Sequence, residues 1–460
     1  MQATPERQPW LNYRTVWRWH FYAGLFCIPF VIWLATTGSI YLFKPQIERW
    51  LDRPYDTLNI TGTRATAEAE VKAALAAVPN SSLHYYELPP TGRSAARVIV
   101  GRDAEEFRVY VHPQSLQVLK IINEDQRPMK VIFRLHGELL MGDRGSMIVE
   151  LAASWAIVMI LTGLYLWWPR QTERFAGVLY LRLRQGKRIF WRDLHAVTGV
   201  WVSAFALFLL LTGLPWAKSW GGYLKKARSL RGAATARQDW TTGRSSELTE
   251  RMAMNHDSME GMAMGHPEHM GHMMHTVPEP SSYAPLDTMI RTVAPLHLAY
   301  PVLISPPMHP GGAWTAKSDS QNRPLRTNLT LDPKSGAILK REDFSQRSIV
   351  DRMVGIGVAA HEGQLFGIFN QLIGLFTAIG LVLISISAVV LWWRRRAVGV
   401  LGAPIPIREP RFSLALATIM LGFGLYLPML GVSLILVLLI ERFVLKNIPS
   451  ARQWLGLSAV

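Results

Sequence analysis

Apolar residues in this chain are gathered into long blocks, with polar and mixed stretches between them. Phe21–Phe43, Met147–Trp168, Ala196–Trp216 and Phe369–Trp393 carry almost no charge. A helix needs about 20 apolar residues to cross the hydrocarbon core, so these blocks predict four transmembrane helices. A fifth apolar block, 412–445, has Gly422, Gly424, Pro428 and Gly431 in its middle. That predicts either one kinked span or two short helices forming a hairpin. Arg442, Lys446 and Arg452 favour a cytoplasmic C-terminus, and so the hairpin.

Between the first and second spans the pattern changes. Ala65–Val78 has apolar residues at helical spacing, ending near Pro79-Asn80. Leu83–Leu88, Ala96–Gly101, Phe107–His112 and Leu116–Ile122 have strand character, the last two joined by a turn at Pro113-Gln114-Ser115. The second long loop repeats the plan. Leu286–Val293 is its helix, and Pro301–Ile304, Trp314–Lys317, Arg326–Leu331 and Ala337–Lys340 are its strands. Its turn Leu331-Asp332-Pro333-Lys334-Ser335-Gly336 matches Val111-His112-Pro113-Gln114-Ser115-Leu116. Each loop predicts a helix against a small antiparallel sheet, and the chain reads span–module–span twice. Repeats of this kind place function at the interface between halves.

The fold expected is a membrane all-α bundle with an internal repeat. It has four core spans plus a C-terminal span or hairpin, and two α+β modules outside the membrane. The chain divides into a lead (1–19), a first span (20–43), a first module (44–135), a second span with its lead-in (136–168) and a basic loop (169–194). A third span (195–216), a connector (217–251), a Met/His-rich insert (252–275), a second module (276–360) and a fourth span with its lead-in (361–393) follow. A loop (394–411), the fifth apolar block (412–445) and a tail (446–460) complete it.

Net charge is +16, but the position of the basic residues argues against nucleic acid as a partner. Arg7, Arg14 and Arg18 precede the first span; Arg170, Arg174, Arg182, Arg184, Lys187, Arg188 and Arg192 fill the loop between the second and third; Arg394, Arg395 and Arg396 close the fourth. Short basic loops stay on the cytoplasmic side. This places the N-terminus inside and the two long loops outside, as in a multi-pass protein of a bacterial inner membrane. Lys218, Lys225, Lys226, Arg228 and Arg231 run against the rule, from which long translocated loops are largely exempt. The first apolar run is too long for the core of a signal peptide and reads as a retained anchor. Cys27 is the only cysteine, and no Cys-x-x-Cys-His is present, so a haem would be held non-covalently.

The candidate chemistry lies in four histidines at the mouths of the spans. His20 is followed by Gly24 and Thr37-Gly38, and His195 by Gly199 and Thr212-Gly213, with the threonine 17 residues on in each case (20 to 37, 195 to 212). His136 precedes Gly142 and Trp167-Trp168, and His361 precedes Gly367 and Trp392-Trp393, 31 residues on in each case (136 to 167, 361 to 392). A boundary histidine can simply sit among headgroups or cap a helix. The predicted topology, however, puts His20 and His195 at one depth and His136 and His361 at the other. Two imidazoles facing each other across a bundle suit the axial positions of haem iron, whose four equatorial nitrogens come from the macrocycle. Zinc usually asks for three or four protein donors, so two histidines per level fall short. The expectation is two haem b groups, each with two histidine ligands, passing electrons across the bilayer. The four glycines would leave room beside a flat macrocycle, although small residues also serve plain helix packing.

TVWRWHFYAGL, ELAASWAIVMILTGLYLWWPR, WRDLHAVTGVW, AAHEGQLFG and YVHPQSLQVLK together resemble the PepSY-associated transmembrane, iron-regulated membrane protein family, which includes bacterial ferric-siderophore reductases. The resemblance spans most of residues 13–396. It implies PepSY-like outer modules, transmembrane histidines as haem ligands (the four named above), and reduction of a ferric-siderophore or other metal complex outside the membrane. The chain departs from the simplest members through its Met/His insert and C-terminal apolar block.

That insert reads MAMNHDSMEGMAMGHPEHMGHMMH. Thioether and imidazole donors suit Cu(I) and Cu(II) respectively. Met252, Met254, His256, Met262, Met264, His266, His269, Met270, His272, Met273, Met274 and His275 are therefore candidate copper ligands. The alternative function is a copper-binding or copper-sensing membrane protein without redox catalysis. No Gly-x-Gly-x-x-Gly marks a nucleotide site, so the expected electron donor is a membrane quinol or a cytoplasmic reductase. His84, His112, His297 and His309 read as surface or turn residues, with His297 and His309 the alternative candidates to line a substrate pocket near the outer haem.

Overall fold

A computed structural model describes residues 13–103, 105–169, 175–229, 282–307, 311–404 and 414–457. The helices, in chain order, are α1 (Tyr13–Leu42), α2 (Lys44–Asp56), α3 (Ala67–Ala77), α4 (Pro128–Glu138), α5 (Gly142–Trp167), α6 (Lys187–Gly213) and α7 (Lys218–Ser229). After them come α8 (Pro285–Val293), α9 (Ile349–His361), α10 (Ile368–Arg395), α11 (Leu414–Tyr426), α12 (Pro428–Leu439) and α13 (Pro449–Leu455). The strands are β1 (Ser82–Glu87), β2 (Ala96–Arg102), β3 (Glu105–Val111), β4 (Val118–Asn123), β5 (Val302–Ser305), β6 (Trp314–Ser318), β7 (Thr327–Leu331) and β8 (Ile338–Asp343). The chain forms two compact units: Met1–Leu42, Leu135–Arg237 and Gln371–Val460 in one; Phe43–Arg134 and Gln238–Asn370 in the other.

The first unit is the membrane part. Five helical stretches among the described residues are long and apolar enough to cross a bilayer: Tyr13–Leu42, Gly142–Trp167, Lys187–Trp216, Ile368–Arg395 and Pro428–Asn447. The first begins earlier than its apolar run, because basic and aromatic residues from Tyr13 onward continue the same helix. Small residues let the helices approach closely. A Cβ on Gly380 of α10 would stand 2.5 Å from Val202 of α6. The C-terminal block is two helices, and the chain bends sharply at Leu427. A Cβ on Gly431 would meet the Gly424 carbonyl oxygen at 2.6 Å, whereas seven residues along a straight helix rise about 10 Å. Leu427 and Leu430 pack with Ile157 and Leu214, and the Trp155 indole donates to Ser433 Oγ at 3.1 Å.

The second unit holds all eight described strands in one antiparallel sheet, ordered β4-β3-β2-β1-β5-β6-β7-β8. The sequence predicts a separate small sheet in each loop; instead β1 and β5 pair, joining the two at their inner edges. The reason lies in one row of residues. Val109, Val98, Tyr86, Ile304, Ala316 and Leu329 follow one another across the sheet, and every one of them is buried. Fully burying a side chain such as Ile304 or Leu329 is worth ~1.5–3 kcal/mol, and neither four-stranded half could cover its inner edge alone. Helices α3 and α8 pack over the same core through Val71, Ala74, Leu286 and Met289.

A chain of ion pairs also ties α2 to the sheet. Arg97 reaches Asp56 at 2.7 Å and Glu87 at 3.2 Å. Glu87 also accepts from Arg108 and from the Tyr300 hydroxyl. Arg108 reaches Glu124 at 2.5 Å, and Arg127 bridges Glu124 and Glu48 at 3.3 and 3.2 Å. Burial alone would raise the Glu87 carboxyl, but Arg108 and Arg97 hold it below the ordinary carboxylate range. Burial likewise opposes ionisation of Glu124, yet Arg108 and Arg127 bring it down to about 2.

Candidate functional site

His20 lies within α1 and His195 within α6. Their ring centres are 6.2 Å apart, with the planes at 77°. Each ring is held from behind by a different helix. His20 Nδ1 is 3.0 Å from the Met159 carbonyl oxygen and 3.2 Å from Thr162 Oγ1, both on α5. His195 Nδ1 is 3.2 Å from the Ile384 carbonyl oxygen and 3.3 Å from Ser387 Oγ, both on α10. Four helices thus converge, two carrying the imidazoles and two carrying their supports. The supports are in register with the sequence repeat: 159 to 384 and 162 to 387 are each 225 residues, the same step as 136 to 361. Gly163 clears the space beside His20, since a Cβ there would lie 3.0 Å from the ring's Cε1.

This geometry fits a metal between the rings. Imidazole nitrogens bind a metal at about 2.0–2.1 Å, which sets the two ring centres about 6 Å apart. With Nδ1 of each ring engaged by its support, Nε2 is the nitrogen left to ligate. Two axial nitrogens are what an iron porphyrin requires of the protein, and they are too few for most zinc sites.

His136 stands on the last turn of α4, and His361 on the last turn of α9. Neither is on the spanning helix itself. Gly142 and Gly367 have φ of +57° and +59°, so they make the turns from these short helices into α5 and α10. Their conformation is one that only glycine adopts cheaply. Of the other two glycines, a Cβ on Gly24 would lie 3.8 Å from Met159 Sδ, and one on Gly199 would have open space. His136 Nδ1 is 3.0 Å from Thr37 Oγ1, and a Cβ on Gly38 would meet its Cε1 at 3.2 Å. Thr37-Gly38 therefore does for His136 what Thr162-Gly163 does for His20.

Of the surface histidines, His84 pairs with Glu106 at 2.9 Å. His112 Nδ1 accepts the backbone N–H groups of Gln114 and Ser115 in the β3–β4 turn, and His297 ends a short helical turn in the left-handed region. His309 lies outside the described residues, as do all twelve Met and His candidates between Met252 and His275.

Thr162, Ser387 and Gly163 do not stand out in the sequence, because a hydroxyl or a glycine inside an apolar run looks like filler. The signal that finds them is the recurrence of a small hydroxyl followed by a small residue: Thr37-Gly38, Thr162-Gly163, Thr212-Gly213 and Ser387-Ala388.

No curated protein matches the chain. The model of the PepSY-associated TM region matches residues 17–395, which takes in the four spans that carry or support the paired imidazoles as well as both sheet-forming segments. The chain belongs to the PepSY-associated transmembrane family.

Proposed function

We propose that this protein is a haem-carrying reductase of a bacterial inner membrane, passing electrons outward to a ferric-siderophore or related metal complex. The observation that carries the reading is the His20–His195 pair, at metal-bridging separation inside a bundle of spans. His20 and His195 would hold haem b. Met159 and Ile384 carbonyls, with Thr162 and Ser387, orient the two rings. The surrounding apolar helices exclude water, and Gly163 keeps the His20 ring from being pushed aside. When bound, the group supplies a one-electron carrier without an open iron position.

The second haem rests on His136 and His361, proposed from the sequence repeat. His136 has its Nδ1 engaged by Thr37, as His20 has by Thr162. Charge in the short loops supports an inside N-terminus, which puts the sheet unit on the outer, substrate side. The internal repeat is proposed as a duplicated span–module–span unit, supported by the order of the eight strands about the β1–β5 pair. A quinol or cytoplasmic reductase would donate the electrons.

The test is transport of electrons across a sealed vesicle. Reconstituted protein with a reductant on the cytoplasmic side should yield Fe(II), trapped by a chromogenic chelator on the other side. Vesicles that bind haem but give no trans-membrane reduction of any ferric chelate overturn the reductase reading.

The composition of residues 252–275 supports a second reading, copper binding without redox catalysis. Cu(I) binding that persists in a protein without haem, and disappears when 252–275 is deleted, would favour it.

A further inference from the structure

The hydroxyls behind the histidines have a feature that assigns the proton on each ring. Thr162 Oγ1 donates to the Val158 carbonyl oxygen at 2.8 Å, one turn back on its own helix. Ser387 Oγ donates to the Ile384 carbonyl oxygen at 2.8 Å, and Thr37 Oγ1 to the Trp33 carbonyl oxygen at 2.9 Å. A hydroxyl has one proton to give. Once that proton is used on the helix, the oxygen can meet an imidazole nitrogen only as an acceptor. The Met159 and Ile384 carbonyl oxygens are acceptors by nature. Nδ1 of His20 and of His195 therefore lies between two acceptors, and Nδ1 of His136 faces a hydroxyl of the same kind.

We propose that Thr162 and Ser387 are positioning residues, which hold His20 and His195 as Nδ1–H tautomers and leave Nε2 unprotonated for a metal. The assignment rests on the haem reading for its purpose but not for its test. A hydroxyl back-bonded in a membrane helix also serves ordinary helix packing. What separates the two roles is the second acceptor at the same nitrogen and the small residue beside the ring. At His20 and His136 the Thr-Gly step supplies the acceptor on one residue and the clearance on the next, 3.0 and 3.2 Å from Cε1. At His195 the step is Ser387-Ala388. The bond also has an electronic consequence. Donation from Nδ1–H to these oxygens makes Nε2 a stronger base and favours the ferric state, because acceptors behind a ligating imidazole raise its basicity.

Two measurements on the full-length protein decide this. Nitrogen-15 spectra of histidine-labelled protein, with His20→Asn and His195→Asn used to assign the signals, are expected to show protonated Nδ1 and bare Nε2 for both residues. The spectra are taken on haem-free protein, where no iron occupies Nε2, so the measurement stays decisive even if the haem reading fails. A majority of Nε2–H overturns the proposal. In haem-loaded protein, the Thr162→Val/Ser387→Ala double variant should keep its haem and shift the ferric–ferrous balance about tenfold toward ferrous, about 59 mV for one electron. Thr162→Ser, which keeps the hydroxyl, should leave the potential near that of the parent when made with Ser387 intact. An unchanged potential in the double variant, with haem retained, likewise overturns it.

Discussion

Glu87 gives the sharpest test of how the sheet unit is held together. Its carboxylate is buried and serves three donors at once: Arg97, Arg108 and Tyr300. Replacing it with alanine leaves Arg97 with Asp56 and Asp52, and Arg108 with Glu124. Neither guanidinium is abandoned, so the cost belongs at the lower end of the ~3–5 kcal/mol for breaking a buried pair. About 3 kcal/mol corresponds to roughly a hundredfold faster opening of the local structure. Amide exchange of the peptides covering β1, β2 and β3 in Glu87→Ala, read by mass spectrometry, should show that acceleration. Glu87→Gln keeps the shape and part of the hydrogen bonding, and is expected to cost about half as much. Exchange in Glu87→Ala within threefold of the parent would refute the view that these charges matter to the sheet.

The same network sets an acid limit. Glu87 and Glu124 are held below their ordinary range, Glu124 at about 2, so their contribution is complete above the ordinary carboxylate range and is lost as pH falls through the lowered one; exchange protection of β1–β3 should stay flat from pH 7 to 5, then drop. Gly163→Leu should force the His20 ring aside, because even a Cβ would stand 3.0 Å from it. The expected result is loss of haem at that level with helical circular dichroism unchanged. Asp287 accepts the Ala67 N–H at 2.8 Å at the start of α3; Asp287→Ala should cost about 1 kcal/mol, as lost helix caps do, seen as faster exchange confined to the start of that helix.

Long-period features of this fold can be read from the chain, while features that depend on partners across it cannot. The spans show as uninterrupted apolar blocks, and the strands of both loops lie within a residue or two of their predicted positions, apart from the C-terminal end of β8. The union of the two sheets is hidden, because nothing local in Leu83–Leu88 or Pro301–Ile304 says which strand will lie alongside. Helix α2 was missed for a different reason. Glu48, Asp52 and Asp56 look like a solvent-facing surface until Arg97 and Arg127 are seen to reach them. His20 and His195 were legible because the chain states the pattern twice, and the threonine that positions His136 was named with them. Thr162 and Ser387 were not, since their offset of 225 becomes meaningful only after α5 and α10 are seen behind the rings.

The central claim is that His20 and His195 grip one iron porphyrin between them. The direct measurement is the reduced-minus-oxidised absorbance and low-temperature electron paramagnetic resonance of the purified protein, beside His20→Ala and His195→Ala. The account predicts low-spin b-type bands, and a ferric signal of high anisotropy because the rings stand at 77°. Either single substitution should remove one low-spin centre and leave the other. Parent protein with no haem, or a full haem complement and unaltered signals in both variants, would contradict it.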